Sequence, residues 1–75
     1  MEKFYCVKVS VLRLGGKEQV ANYFYKSLER AKEHFDNYRN NRDYKVVENT
    51  ERKLVVRNEN WTEVTLRLTE FYFED

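Results

Sequence analysis

The sequence contains no proline, one cysteine and one histidine, and only two of its 75 residues are glycine. The single Cys6 cannot form an intramolecular disulfide, a crosslink that small secreted domains usually need. Together with His34 it also provides too few soft ligands for a zinc site. No apolar run reaches the roughly 18–20 residues that cross a bilayer, and no signal-peptide pattern precedes the first predicted strand. We therefore expect a cytoplasmic chain with no metal, no cofactor and no membrane partner.

An excess of charge of one sign is also lacking, because 14 basic residues are balanced by 13 acidic ones. A global field that would attract nucleic acid or an anionic membrane is therefore absent. The distribution along the chain is uneven: residues 1–17 carry four bases against one acid, and residues 48–75 carry seven acids against four bases. Opposite charges on neighbouring strands stabilise a sheet, so this asymmetry favours side-by-side packing of the two ends of the chain.

Motifs that carry catalysis are missing as well. Gly15-Gly16 lacks the further glycines and the lysine of a phosphate-binding loop. No run of carboxylates has the spacing of a calcium loop, and Cys6 has no adjacent base that would activate a nucleophile. We expect no enzymatic activity, and we assign no catalytic, cofactor-binding or metal-binding residue.

Aromatic residues, by contrast, are abundant: six Tyr, five Phe and one Trp. Each buries roughly 150–250 Å² of surface when packed, which is too much apolar content for a disordered chain. The length allows one core. We predict a single domain over residues 1–75.

The first half of the chain predicts a hairpin followed by a helix. Residues 4–14 alternate apolar and polar side chains as a strand does, and Gly15-Gly16 suits a two-residue hairpin loop. Counting from that loop gives the predicted cross-strand pairs Arg13–Glu18, Val11–Val20, Val9–Asn22, Lys8–Tyr23, Val7–Phe24 and Cys6–Tyr25. Ser27 is a suitable N-cap, and a helical apolar stripe follows it, formed by Leu28, Ala31, Phe35 and Tyr38. We expect the helix to end at Asn40-Asn41, since Asn tolerates left-handed backbone.

The second half predicts three strands, at residues 44–50, 54–57 and 61–73, separated by polar turns. In the last strand the apolar alternation breaks near Thr69 and Glu70, and a β-bulge there would restore it. The element order is thus ββαβββ. We predict an α+β fold in which one amphipathic helix packs on one face of a curled antiparallel sheet.

Surplus aromatic side chains provide the main functional hypothesis. One helix covers only one face of the sheet, and the predicted register directs Tyr23 and Tyr25 to the other face. Tyr and Trp are enriched at protein interfaces. We therefore predict a protein-interaction module that binds another protein or forms a homodimer, through its uncovered sheet face or an open strand edge. The residues selected for this role are Tyr23, Tyr25 and Trp61.

A basic segment after the helix provides an alternative hypothesis. Arg39, Arg42, Tyr44 and Lys45 could contact phosphates and stack on a base. Asp43 within the segment and the balanced total charge make nucleic acid the less favoured partner. A structural subunit of a larger assembly is the third alternative, which the residues do not separate from a binding module.

The helix SLERAKEHFDNYRNN and the closing strand NENWTEVTLRLTEFYF, together with the small size and the lack of proline, resemble small accessory proteins of bacteriophages and prophages of Gram-positive bacteria. The resemblance implies a protein that binds a host or phage macromolecule, since some such proteins inhibit defence or replication enzymes. It transfers no functional residue. DNA-mimicking inhibitors of this kind are strongly acidic, which this chain is not.

Overall fold

The strands and the helix follow one another along the chain in the predicted order ββαβββ. The computed structural model describes residues 2–73. Its elements are β1 (Glu2–Leu12), β2 (Gln19–Tyr25), α1 (Leu28–Arg39), β3 (Tyr44–Asn49), β4 (Lys53–Asn58) and β5 (Glu63–Phe73). The five strands of this region form one open antiparallel sheet in the order β2-β1-β5-β4-β3. The predicted α+β fold is confirmed.

The first and last strands form the central pair of the sheet. β1 and β5 pair without interruption from Glu2 opposite Phe73 to Leu12 opposite Glu63. The basic start of the chain therefore lies beside its acidic end, as the charge asymmetry predicted. An ion pair of 3.3 Å between Lys3 Nζ and Glu70 Oε2 joins the two strands.

The hydrophobic core lies between α1 and one face of the sheet. Its buried side chains come from β1, β4, β5 and the helix: Val7, Val9, Ala31, Phe35, Leu54, Val56, Val64 and Leu66. The Cα atoms span only 15 Å along the shortest axis, as expected for one sheet and one helix. The other side of the sheet, called the uncovered face below, has no helix packed on it within the described residues.

α1 has the predicted bounds but different end structures. Ser27 is the N-cap residue, yet its hydroxyl makes no capping hydrogen bond. Asn40 ends the helix at φ −94° and not in left-handed backbone, with its N–H donating to the Asp36 carbonyl at 2.9 Å. Across residues 2–73 no helix is long and apolar enough to span a membrane.

The connection between β1 and β2 is longer than predicted. Six residues, 13–18, separate the strands. The Gly16 N–H donates to the Arg13 carbonyl at 2.9 Å, and Gly15 has φ +73°. Positive φ at the third residue of the turn is the geometry of a type II turn, which favours glycine there. The glycines therefore close a turn as predicted, but not as a two-residue hairpin loop.

The longer connection shifts the hairpin register by one residue, so the predicted pairs are wrong. Val7 lies opposite Tyr23 and not Phe24, and Val9 lies opposite Ala21. A shift of one residue exchanges the two faces of a strand. Tyr23 and Tyr25 therefore point toward α1, while Val20, Asn22 and Phe24 lie on the uncovered face.

The predicted β-bulge in β5 is wrong as well. The β1–β5 register runs through Thr69 and Glu70 without a shift. Glu70 stays on the helix side, where Lys3 and Arg52 pair with its carboxylate at 3.3 and 3.7 Å. The bulge occurs instead in β3, between Val46 and Glu48.

Candidate protein-binding surfaces

β2 is an edge strand whose outer side is open. Its only neighbour in the described sheet is β1, and every residue from Gln19 to Phe24 is exposed. Alternate backbone N–H and C=O groups of an edge strand point away from the sheet, where they can pair with another chain. Within residues 2–73 no turn or loop supplies backbone partners to these groups.

The sequence of this strand, QVANYFY, lacks the features that usually protect an edge. Natural sheets block their edges with charged residues, proline or bulges. β2 has no charged residue and no proline, and its register with β1 is regular throughout. It is the only strand in the described region without a charged residue. That composition was visible in the sequence and could have identified the edge.

Exposed apolar side chains of β2 continue onto the uncovered face. Phe24 is 67% exposed and Val20 is 49% exposed. Phe24 lies opposite Cys6 in the neighbouring strand, and Cys6 is buried among the side chains of this face. Burial raises the pKa of the Cys6 thiol, which keeps it protonated and a poor nucleophile. This region can therefore bind an apolar partner but is unsuited to thiol chemistry.

Tyr23 and Tyr25 form an aromatic cluster with α1. The Tyr25 hydroxyl lies 2.8 Å from His34 Nδ1, and the Tyr23 ring meets the His34 ring edge-on at 4.7 Å. The Tyr38 ring also stacks on the imidazole, with the two ring centres 6.1 Å apart. Tyr25 is half-buried, whereas Tyr23 is 45% exposed. The two tyrosines are thus partly structural, and only Tyr23 offers much free surface at the β2 edge.

The cluster makes stability depend on pH. Burial lowers the pKa of His34 from its ordinary value of about 6.5, so the folded chain favours the neutral imidazole, whose Nδ1 is hydrogen-bonded to the Tyr25 hydroxyl. The unfolded chain therefore binds a proton at higher pH than the folded one. The contribution of His34 to the free energy of unfolding is fully present above about pH 6.5. It is lost as the pH falls through the pKa of His34 in the folded chain.

We expect the free energy of unfolding to decrease between about pH 7.5 and about pH 5.5, and to decrease less in His34→Gln. Urea denaturation of both proteins at each pH measures the difference. Both proteins contain the same carboxylates, so the comparison isolates the effect of the imidazole. Identical pH dependence in both proteins would show that the imidazole makes no contribution.

Trp61 lies in the turn between β4 and β5, at the end of the sheet where the β1–β2 connection also lies. The Asn58 side-chain oxygen accepts from the backbone N–H groups of Asn60 and Thr62, both at 2.9 Å. These bonds hold Trp61 at φ +62°, a left-handed conformation that is strained for a bulky residue. The ring is turned outward, with Trp61 62% exposed and the Arg57 guanidinium 5.6 Å from the ring centre.

The exposed indole borders an open groove of about 970 Å³ between residues 41–47 and 57–61. Arg42, Tyr44 and Lys45 line the same groove. The structure therefore brings together residues that the sequence assigned to two hypotheses, protein binding and nucleic-acid binding. Asp43 and Glu59 also line the groove, so its charge is mixed.

Arg39 does not belong to this groove. Its guanidinium pairs with the Asp36 carboxylate on the same helix and donates to Asn49 Oδ1 at 3.1 Å. These bonds tie the end of α1 to the end of β3. Arg39 is thus a structural residue here, unlike Arg42 and Lys45.

β3, the other edge strand, has the protection that β2 lacks. The bulge between Val46 and Glu48 interrupts its regular hydrogen-bonding pattern. Lys45 and Glu48 place charges along it, and Glu48 pairs with Lys53 at 2.9 Å. Of the two edges, β2 is the one suited to pairing with another strand.

Nothing in the described part of the chain gathers three or more His, Cys, Asp or Glu side chains that could hold a metal ion. Searches against protein-family models, curated proteins and solved structures found no match for this chain. The physical properties of its surfaces are therefore the basis for a functional proposal.

Proposed function

We propose that the chain is a non-catalytic protein-interaction module that binds through the outer edge of β2 and the adjoining Val20 and Phe24 side chains. The observation that carries this proposal is the combination of an open edge and an uncharged, regular strand. β-strand addition uses such an edge, with main-chain hydrogen bonds giving affinity and side chains giving specificity.

The exposed side chains of Val20 and Phe24 support the same proposal energetically. Removing a fully exposed Phe or Val side chain from water is favourable by about 1.5–3 kcal/mol, and Phe24 and Val20 still have about half or more of their surface to bury. Val20, Asn22 and Phe24 are alternate residues of β2 and therefore lie on the same face of the strand. A partner strand would cover both while satisfying the free backbone groups beside them.

The candidate reactive groups support a binding role over catalysis. The Cys6 thiol is buried and its pKa is raised. The His34 imidazole is surrounded by three tyrosine rings, and its Nδ1 is engaged by one of them. Neither group combines an activated form with access to a substrate.

Affinity capture with matched variants tests the proposal. Phe24→Lys introduces a charge on the β2 edge, and Val47→Lys introduces the same charge at an exposed position on the β3 edge. The phage resemblance makes a lysate of Gram-positive bacteria the appropriate source. We expect partners to be retained by the wild type and by Val47→Lys, and at least ten-fold less by Phe24→Lys, since burying a lysine charge costs roughly 1.4 kcal/mol or more. Equal retention by all three proteins would refute binding through β2.

Nucleic-acid binding is the second candidate, and the groove beside Trp61 favours it. An exposed indole with Arg42, Tyr44 and Lys45 nearby is the combination of stacking platform and cations that single strands bind. A parallel capture after nuclease treatment, with Trp61→Ala as a further variant, distinguishes the two candidates. Material lost on nuclease treatment and from Trp61→Ala would assign the function to the groove.

A further inference from the structure

We propose that the partner of the β2 edge is a second copy of this chain, paired in antiparallel orientation about a twofold axis at Asn22. This inference rests on the proposed function, because it specifies the occupant of the same edge. A twofold axis perpendicular to the sheet joins two β2 strands into one continuous ten-stranded sheet, twice the five strands of one copy. It also places both helices on the same side, so the uncovered faces of the two copies become continuous.

The side chains of β2 are complementary to themselves in this register. On the uncovered face, Val20 lies opposite the partner's Phe24, and the reverse pair lies symmetrically beyond Asn22. On the helix side, the small Ala21 lies opposite the partner's Tyr23. Apolar and aromatic cross-strand pairs each contribute roughly 0.2–1 kcal/mol, and every such pair occurs twice by symmetry.

Charge complementarity at the ends of the strand supports the same register. Glu18 immediately precedes β2 and Lys26 immediately follows it. Pairing centred on Asn22 places Glu18 of each copy opposite the partner's Lys26. Within residues 2–73 neither side chain has an ion-pair partner in its own chain. At ~3.3 Å per residue the two positions are about 26 Å apart along one strand, so they can pair only between copies.

The contrast between the two edges explains why pairing would stop at a dimer. An isologous contact, in which both copies use the same patch, is complete with two copies. A heterologous contact from β2 to β3 would leave one edge open on each copy and continue into a ring or a fibre. The bulge and the charges of β3 oppose that contact, whereas β2 has no such barrier.

Sedimentation velocity of the purified chain, over roughly 1 µM to 1 mM, measures the dimer dissociation constant. We expect Glu18→Lys and Lys26→Glu each to weaken the dimer about ten-fold, because each places two like-charged pairs across the interface. The double variant restores both pairs with reversed sign, and we expect its dissociation constant to return to within about three-fold of wild type.

Phe24→Lys and the matched Val47→Lys complete the experiment. We expect Phe24→Lys to abolish the dimer while circular dichroism shows a folded chain, and Val47→Lys to dimerise normally. A monomer at every concentration overturns the proposal, and so does a dimer that the double charge reversal fails to restore. A monomeric chain that still captures another protein in a Phe24-dependent way would overturn the dimer alone and leave the proposed function intact.

Discussion

Phe35→Ala is expected to lower the free energy of unfolding by about 3–5 kcal/mol. Phe35 is 3% exposed and, with Ala31, fixes α1 to the sheet. A chain of 75 residues has a total stability of only about 4–11 kcal/mol, so this loss is a large part of the whole. Urea denaturation, monitored by far-ultraviolet circular dichroism, measures this loss. We expect a lower urea concentration at the midpoint and an unchanged dependence of the free energy of unfolding on urea concentration.

Phe24→Ala is the matched control for Phe35→Ala, since the same ring is removed from a position that is 67% exposed. We expect a loss below about 1 kcal/mol, measured at low protein concentration where self-association is absent. The predicted register placed Phe24 opposite Val7 in the core. A loss as large as that of Phe35→Ala would therefore support the predicted register and contradict a binding role for Phe24.

The element order and the helix could be predicted because both depend on local periodicity. The stripe formed by Leu28, Ala31 and Phe35 has the spacing of a helix face, and the structure buries Ala31 and Phe35 against the sheet. The charge difference between the two ends of the chain also predicted that β1 and β5 are neighbours. These properties require no knowledge of loop geometry.

The hairpin register could not be predicted, because β2 offers no clear alternation. Apolar or aromatic residues occur at both parities: Val20 and Phe24 at one, Tyr23 and Tyr25 at the other. Only the loop then decides the register, and its length depends on where the turn closes. The Gly16 to Arg13 hydrogen bond places that turn one residue earlier than the Gly-Gly pair suggested.

The groove beside Trp61 could not be predicted as a single site either. Its candidate residues were found individually from composition, but Trp61 and Arg42 come from different loops. They share a groove because β3 and β4 are neighbours in the sheet. The strained backbone of Trp61 arises from the hydrogen bonds of the Asn58 side chain. No pattern in the sequence predicted these bonds.

β5 also differs from its sequence pattern, because the predicted bulge near Thr69 and Glu70 is absent. Its alternation continues through Glu70, which remains on the helix side because two cations reach it at the end of the strand. An ion pair of this kind relieves the cost of a carboxylate near apolar surface. No bulge is then needed, and Phe71 is left on the uncovered face, opposite Phe4.

Leu66→Ala is therefore expected to destabilise the chain by about 2–5 kcal/mol, whereas Phe71→Ala should cost about 1 kcal/mol or less. Leu66 is completely buried and Phe71 is 45% exposed. Urea denaturation of both variants, again at low protein concentration, gives the two values. A bulge would bring Phe71 into the core and make its loss the larger one. The expected order instead means that β5 supports the core with one face and leaves an aromatic ring on the other. That ring shares the uncovered face with Cys6 of the neighbouring β1 and with Phe24 of β2. The uncovered face would then be free to extend the contact surface that begins at the β2 edge.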